Sequence, residues 1–213
     1  MGRIMKTPTL LASLAAAILV TGGGLALADL RETREVSAFH ALEAHSAFEI
    51  FVELGDTPKL ELVGRPEALA SVLSEVEDGV LILRREAKRS SGSVKVFIVT
   101  PRLDRLETSG AVTVTARRLT GSRFAVQGSG ATQLTLAGKV DALDLELSGA
   151  SEVHALALEA AQVSVEASGA SQVKVRATEA LSVEASGATS VRYSGAPKTV
   201  KTDVSGLSAV EAI

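Results

Sequence analysis

The tripeptide Ser-Gly-Ala recurs through the second half of this chain, at Ser109-Gly110-Ala111, Ser129-Gly130-Ala131, Ser148-Gly149-Ala150, Ser168-Gly169-Ala170 and Ser186-Gly187-Ala188. A sixth copy reads Ser205-Gly206-Leu207, and successive glycines stand 20, 19, 20, 18 and 19 residues apart. A unit this short cannot bury a core of its own, so each copy has to stack on its neighbours. The period predicts a mostly β chain: a parallel β-helix (β-solenoid) of about 19-residue coils, preceded by a strand-rich N-terminal region with one short helix.

Aligned on the glycine, the repeats form columns. Four residues after it stand Val114, Leu134, Val153, Val173, Val191 and Val210. Four before it stand Leu106, Val126, Leu145, Val165 and Val183, ending in Thr202. Six before it, after Asp104 in the first copy, stand Phe124, Leu143, Val163, Leu181 and Val200. Apolar residues spaced by two face one side of a strand, so these columns are the expected core. Valine and threonine dominate, which argues for strands over helices.

The N-terminal half is not repetitive. Residues 36–63 alternate as half-buried strands do, in Phe48 to Leu54 and Lys59 to Val63, with Gly55-Asp56-Thr57-Pro58 as the turn of a hairpin-like connection. Pro66 opens a helix expected to run to Glu75, with Leu69, Val72, Leu73 and Val76 on one face and Asp78-Gly79 ending it. Strands are expected at Val80 to Leu83 and Val94 to Val99, separated by a basic loop from Arg84 to Ser93. The expected divisions are 1–28, 29–100 and 101–213.

Residues 1–28 read as a secretory signal peptide. Arg3 and Lys6 precede the apolar run Leu10 to Val20, and Ala26-Leu27-Ala28 fits a cleavage site. About 185 residues remain, with no membrane-spanning stretch and, in the whole chain, no cysteine. Stability in an exported setting must then come from stacked backbone hydrogen bonds and aliphatic packing rather than disulfides.

Charge is segregated along the chain. Residues 29–83 hold 4 basic and 12 acidic groups, 84–123 hold 10 and 3, and 124–213 hold 6 and 10. Within that central belt, Arg84, Arg85, Lys88 and Arg89 form the densest basic run and the candidate contact for an anionic glycan or an acidic envelope protein. Nucleic acid is excluded as a partner. The exported chain is acidic overall and has one tyrosine and no tryptophan with which to stack bases.

Two polar columns invite chemistry. The serine before each glycine would need an adjacent base and an orienting group to be a nucleophile, and His154 is the sole histidine of the repeat region. Backbone hydrogen bonding at the corner is the expected role. Three residues before the glycine stand Glu107, Gln127, Glu146, Glu166, Glu184 and Asp203, with His154, Lys174 and Arg192 as expected counter-charges. A Ca²⁺ column on Glu146, Glu166 and Glu184 is the alternative to a solvated outer face, since Ca²⁺ takes several oxygen ligands. The expectation is no cofactor and no catalytic residue. His40 and His45, five apart, alternate to opposite faces of a strand, and no zinc, phosphate-loop, dinucleotide or nucleophile-elbow motif is present.

Phe48 to Leu54, Leu60-Glu61-Leu62-Val63-Gly64, the segment Val76 to Ile82, Pro101-Arg102-Leu103 and the Ser-Gly-Ala repeats resemble, in that order, the bacterial head GIN domain family of autotransporter adhesins. The resemblance spans roughly residues 36–210. It implies a right-handed parallel β-helix, a periplasmic or cell-surface setting, and no transferable catalytic residue. The expected function is an exported, non-catalytic envelope or surface binding module. The alternatives are a polysaccharide-active enzyme using the glutamate column, and an assembly protein forming a homodimer through its uncapped C-terminal coil.

Overall fold

The computed structural model describes residues 29–86 and 92–213, so the signal peptide expected at 1–28 lies outside the described residues. The described chain is mostly β. One twelve-stranded sheet holds β1 (Leu30–Arg34), β2 (Ala41–His45), β3 (Phe48–Leu54), β4 (Lys59–Gly64), β5 (Val72–Glu77), β6 (Val80–Arg85) and β7 (Val94–Thr100). The long paired segment β8 (Arg105–Gly169) follows, then β9 (Gln172–Gly187), β10 (Ser190–Ser194), β11 (Thr199–Val204) and β12 (Ala209–Ala212). The single helix, α1, is Pro66–Leu69.

Each repeat lies parallel on the next at an offset of one period. Val153 faces Val173, Val165 faces Val183, Gly169 faces Gly187, Val191 faces both Val173 and Val210, and Val200 faces Leu181. The expected aliphatic columns are buried from Leu106 to Val191, and the chain's core runs without a break from Phe39 to Val191. The corners need the left-handed backbone region: the six glycines have φ between 74° (Gly206) and 101° (Gly169). Space forbids a side chain there too. A Cβ on Gly149 would stand 2.7 Å from the Gly130 carbonyl oxygen, so identical corners nest backbone on backbone.

The non-repetitive half joins the same sheet as a hidden repeat. β2 and β3 pair in parallel with β8, placing Glu43 against Glu107, His45 against Ser109 and Ile50 against Val114. Ser46 takes the glycine's place at that corner, with φ of 84° and its N–H donating to the Ser109 carbonyl at 3.0 Å. A further turn of chain lies beyond it, with β6 parallel to β2 and β7 parallel to β3. The sheet order therefore departs from chain order: strands 41–54 are threaded between strands 80–100 and 105–117.

Three expectations need correction. The helix stops at Leu69, and Val72–Glu77 is a strand whose burial alternates, with Val72 buried and Leu73 44% exposed. Asp78-Gly79 does not end a helix. Both residues have positive φ (49° and 77°), the signature of a two-residue hairpin turn, and β5 pairs antiparallel with β6 across it. Second, β3 and β4 do not form a hairpin, because β7 lies between them, parallel to β3 and antiparallel to β4. Gly55-Asp56-Thr57-Pro58 therefore bridges across an intervening strand. Third, the basic segment expected as a loop from Arg84 begins as strand, through Arg85. β1, antiparallel to β4, opens the strand-rich region expected from residue 29.

Candidate functional site

The glutamate and serine columns line one lateral groove of about 620 Å³. Inward residues of each strand fill the core, so the alternate residues project outward and repeat at the strand spacing of about 4.8 Å. Glu107, Gln127, Glu146, Glu166, Glu184 and Asp203 form one wall. Ser129, Ser148, Ser168, Ser186 and Ser205 stand beside them. Gln127 relieves part of the like-charge repulsion by donating Nε2–H to Glu146 Oε2 at 2.9 Å. The expected counter-charges point elsewhere: His154 pairs with Glu152 at 2.9 Å and Arg192 with Glu211 at 3.6 Å. Among the described residues, no three carboxylates or imidazoles gather closely enough to hold a metal ion, and this bears on the Ca²⁺ reading of Glu146, Glu166 and Glu184.

The hydroxyl column two residues after the glycine is not part of the groove. Thr132, Ser151, Ser171 and Thr189 are buried against the core, and the hydroxyls of Ser151 and Ser171 have no hydrogen-bond partner. The corner serine hydroxyls bond backbone in one repeat, where Ser129 donates to the Thr108 carbonyl at 3.4 Å.

At the first corner the serine meets a base. His45 Nδ1 lies 2.7 Å from Ser109 Oγ, and the Glu43 carboxylate is 3.9 Å from His45 Nε2. Glu43 also accepts from Arg105 at 3.2 Å, so its carboxylate is shared. This contact escapes a reading confined to the Ser-Gly-Ala copies. Its signal is present all the same: Leu42-Glu43-Ala44-His45-Ser46-Ala47-Phe48-Glu49-Ile50 aligns with Leu145-Glu146-Leu147-Ser148-Gly149-Ala150-Ser151-Glu152-Val153.

Five of the ten basic groups in residues 84–123 are paired with carboxylates. Arg102 pairs with Asp104 at 2.7 Å, Arg105 with Glu43 and Glu107, Arg118 with Glu53 at 3.2 Å, Arg123 with Asp144 at 2.7 Å, and Lys95 with Glu49 at 3.7 Å. Three of those carboxylates come from the acidic N-terminal segment, which the topology threads through the belt. Of the predicted contact residues, Arg84 is exposed at the end of β6. Arg85 donates to Ser71 Oγ at 3.3 Å and to the Gly92 carbonyl at 3.0 Å, so it is a structural tie. Lys88 and Arg89 lie outside the described residues.

The mid-repeat turns carry one charge cluster. Glu159 pairs with Lys139 at 2.8 Å and Arg176 at 2.9 Å. The hydrogen bond and charge of Lys139, then the charge of Arg176, hold the Glu159 carboxyl below the ordinary carboxylate range. Glu159 in turn raises the Lys139 ammonium. Likewise, the Asp104 hydrogen bond raises the Arg102 guanidinium.

Among the described residues no helix is long and apolar enough to cross a membrane, and a repeat-built sheet with a polar lateral groove defines a class of β-rich scaffolds. Within it, the chain belongs to the family described as "Putative auto-transporter adhesin, head GIN domain", whose model matches residues 38–197. No curated protein matches. Three solved structures share the fold. A putative adhesin from Bacteroides fragilis NCTC 9343 is 19% identical, with a TM-score of 0.70 over 87% of this chain and 97% of that one. A putative adhesin from Parabacteroides merdae ATCC 43184 is 16% identical, with a TM-score of 0.53 over 87% and 96%. A protein titled putative lipid binding protein, from Parabacteroides distasonis ATCC 8503, is 15% identical, with a TM-score of 0.52 over 87% and 97%.

Proposed function

We propose that this protein is an exported, non-catalytic binding or adhesion module of the bacterial envelope or surface, built as a parallel β-helix over residues 101–213. The one-period offset of its parallel pairs supports that architecture. One observation carries the functional reading: the groove repeats a carboxylate at five of six steps, with Gln127 at the other, and a serine hydroxyl at five. Acid–base catalysis asks neighbouring groups to differ in role and proton affinity. A ladder of equivalent groups suits an extended partner held through many weak contacts. The groove is acidic, so an anionic glycan or acidic envelope protein is directed to the basic side, at Arg84, Arg85, Lys88 and Arg89.

A glycan array probed with the purified protein, with and without Ca²⁺, tests this. Salt-sensitive binding of anionic glycans without cleavage is the expected result. Released product that disappears in Glu146→Gln with Glu166→Gln, or in Ser109→Ala, overturns it. The His45–Ser109 contact is the firmest footing for the enzymatic alternative.

A second reading, self-assembly, is favoured at the C-terminal edge. β11 is exposed along its whole length, with Val200 and Val204 each 42% accessible, and beyond it Leu207 is 87% and Ile213 62% accessible. A second copy pairing on this edge would cover it. A monomer mass by light scattering at high protein concentration would exclude the dimer.

A further inference from the structure

We infer that a notch beside Phe51 binds a carboxylated pyranose, a uronic-acid residue of an acidic polysaccharide. The inference rests on the reading of the chain as a binding module and gives that module a site and a ligand class. Phe51 in β3 and Phe97 in β7 stand opposite each other in register, in the outward phase between the buried pairs Ile50/Val52 and Val96/Ile98. Their rings stack, with centroids 5.0 Å apart and planes 12° apart. The chain has five phenylalanines, and the other three, Phe39, Phe48 and Phe124, are at most 4% exposed, whereas Phe97 is 36% exposed.

The two sides of the stack differ. On the Phe97 side, the Arg31 guanidinium covers the ring at 5.9 Å from its centroid, held there by Glu61, which is also paired with Lys59. On the Phe51 side the neighbouring strand places Thr115 in register, a side chain too short to cover an aromatic ring. The result is a cavity of about 500 Å³ lined by Phe51, Phe97, Glu53, Lys59, Thr115 and Arg117 among others. It falls within the usual size range of small-ligand sites, roughly 300–1,000 Å³.

Its chemistry is that of a sugar site. A pyranose presents an apolar C–H face and a polar rim at once, matching a flat ring beside hydroxyl and carboxylate groups. Glu53 can accept from sugar hydroxyls, and Thr115 can donate or accept. Arg117 decides the charge. Arg31 and Lys59 are committed to Glu61 and Arg118 to Glu53, whereas no ion pair is found for Arg117 among the described residues. A free guanidinium at the mouth of an aromatic notch matches a planar carboxylate through two parallel hydrogen bonds. Glu53 and Glu61, each already paired, leave the site with net positive charge.

Calorimetric titration with tetragalacturonate and with a neutral galactose tetrasaccharide tests the assignment. The acidic sugar is expected to bind about tenfold more tightly. Phe51→Ala should weaken both sugars about tenfold, and Arg117→Gln should remove the preference for the acidic one. Both side chains point outward, and unchanged thermal unfolding of the variants will show that the fold is intact. Equal affinity for the two sugars overturns the assignment, as does absence of binding at millimolar sugar. So does binding that survives both variants but is lost in Arg84→Glu with Arg85→Glu. That last outcome leaves the binding-module reading standing and moves its site to the basic run.

Discussion

At the N-terminal end of the sheet two strands run against the repeat, β4 antiparallel on β7 and β5 antiparallel on β6, and β1 lies antiparallel outside β4. Leu60, Leu62, Leu69 and Val72 are buried there, with α1 packed on β4. At the C-terminal end, β11 and β12 keep the parallel direction of the repeat, and β11 has no buried residue. A parallel strand added to a stack always presents the edge it has just covered, so repetition alone cannot end the sheet. Closing it takes a break in the pattern. The N-terminal end has that break, and its cost is visible in the sequence as the loss of the period.

The comparison can be tested by placing one change at both ends. Gly149→Ala, within the stack, forces a side chain to a φ of 95° and to 2.7 Å from the Gly130 carbonyl oxygen. Its loss of stability in urea unfolding is expected to exceed about 4 kcal/mol, or the variant will not fold. Gly206→Ala has nearly the same local geometry, with φ of 74° and the Gly187 oxygen at 2.6 Å. It should cost clearly less, because among the described residues no further repeat stacks on this one and it can shift. Equal losses would show that the C-terminal repeat is as rigid as the rest.

Core truncation comes next in size. Leu62→Ala in the antiparallel end is expected to cost about 2–5 kcal/mol. Val200→Ala, in a repeat column at the opposite end and 42% exposed, should stay within about 0.5 kcal/mol. A large Val200→Ala effect that depends on protein concentration would reveal a covered edge in solution.

Ser46→Gly probes the hidden corner. Ser46 holds a left-handed φ of 84° where every later repeat has glycine. Relieving that strain should stabilise the protein by about 1 kcal/mol, less the backbone entropy that glycine adds to the unfolded chain. A loss of stability would mean that the serine side chain contributes more than its backbone costs.

The smallest effect belongs to Glu159. Its folded carboxyl titrates below the ordinary range because of Lys139 and Arg176. Its stabilisation is therefore fully present above the unfolded carboxylate's value of about 4.3 and is lost as the pH falls through the folded value. The group is exposed, so the gain is screened. Glu159→Gln is expected to lower the melting temperature slightly at neutral pH and low salt, and to have no effect in high salt or at acidic pH.

Much of this architecture was legible because the period is a direct imprint of stacking. The columns from Leu106 to Val191 bury as their spacing predicts, and the recurring glycines stand at the corners of the stack with positive φ. The helix failed at Val72 because a Pro start and a three-to-four spacing of apolar residues fit both a helix and an alternating β-branched strand over so short a stretch. The Asp78-Gly79 turn should have decided it. The site was less legible. Five carboxylates and Gln127 on one face follow from the column alone, but two of the counter-charges expected for them, His154 and Arg192, bond other partners.

The sequence by itself determined the repeat, its core columns, its corners and the family to which they belong, because each depends on residues within one period or on the same residue one period away. The tertiary structure decided which distant segments became neighbours. It threaded residues 41–54 into the stack, which set His45 on Ser109 and laid the acidic strand against the basic belt. It also stacked Phe51 on Phe97 beside Arg117. Those pairings rest on strand order in the sheet, and strand order is set by how the non-repeating half closes one end of the core.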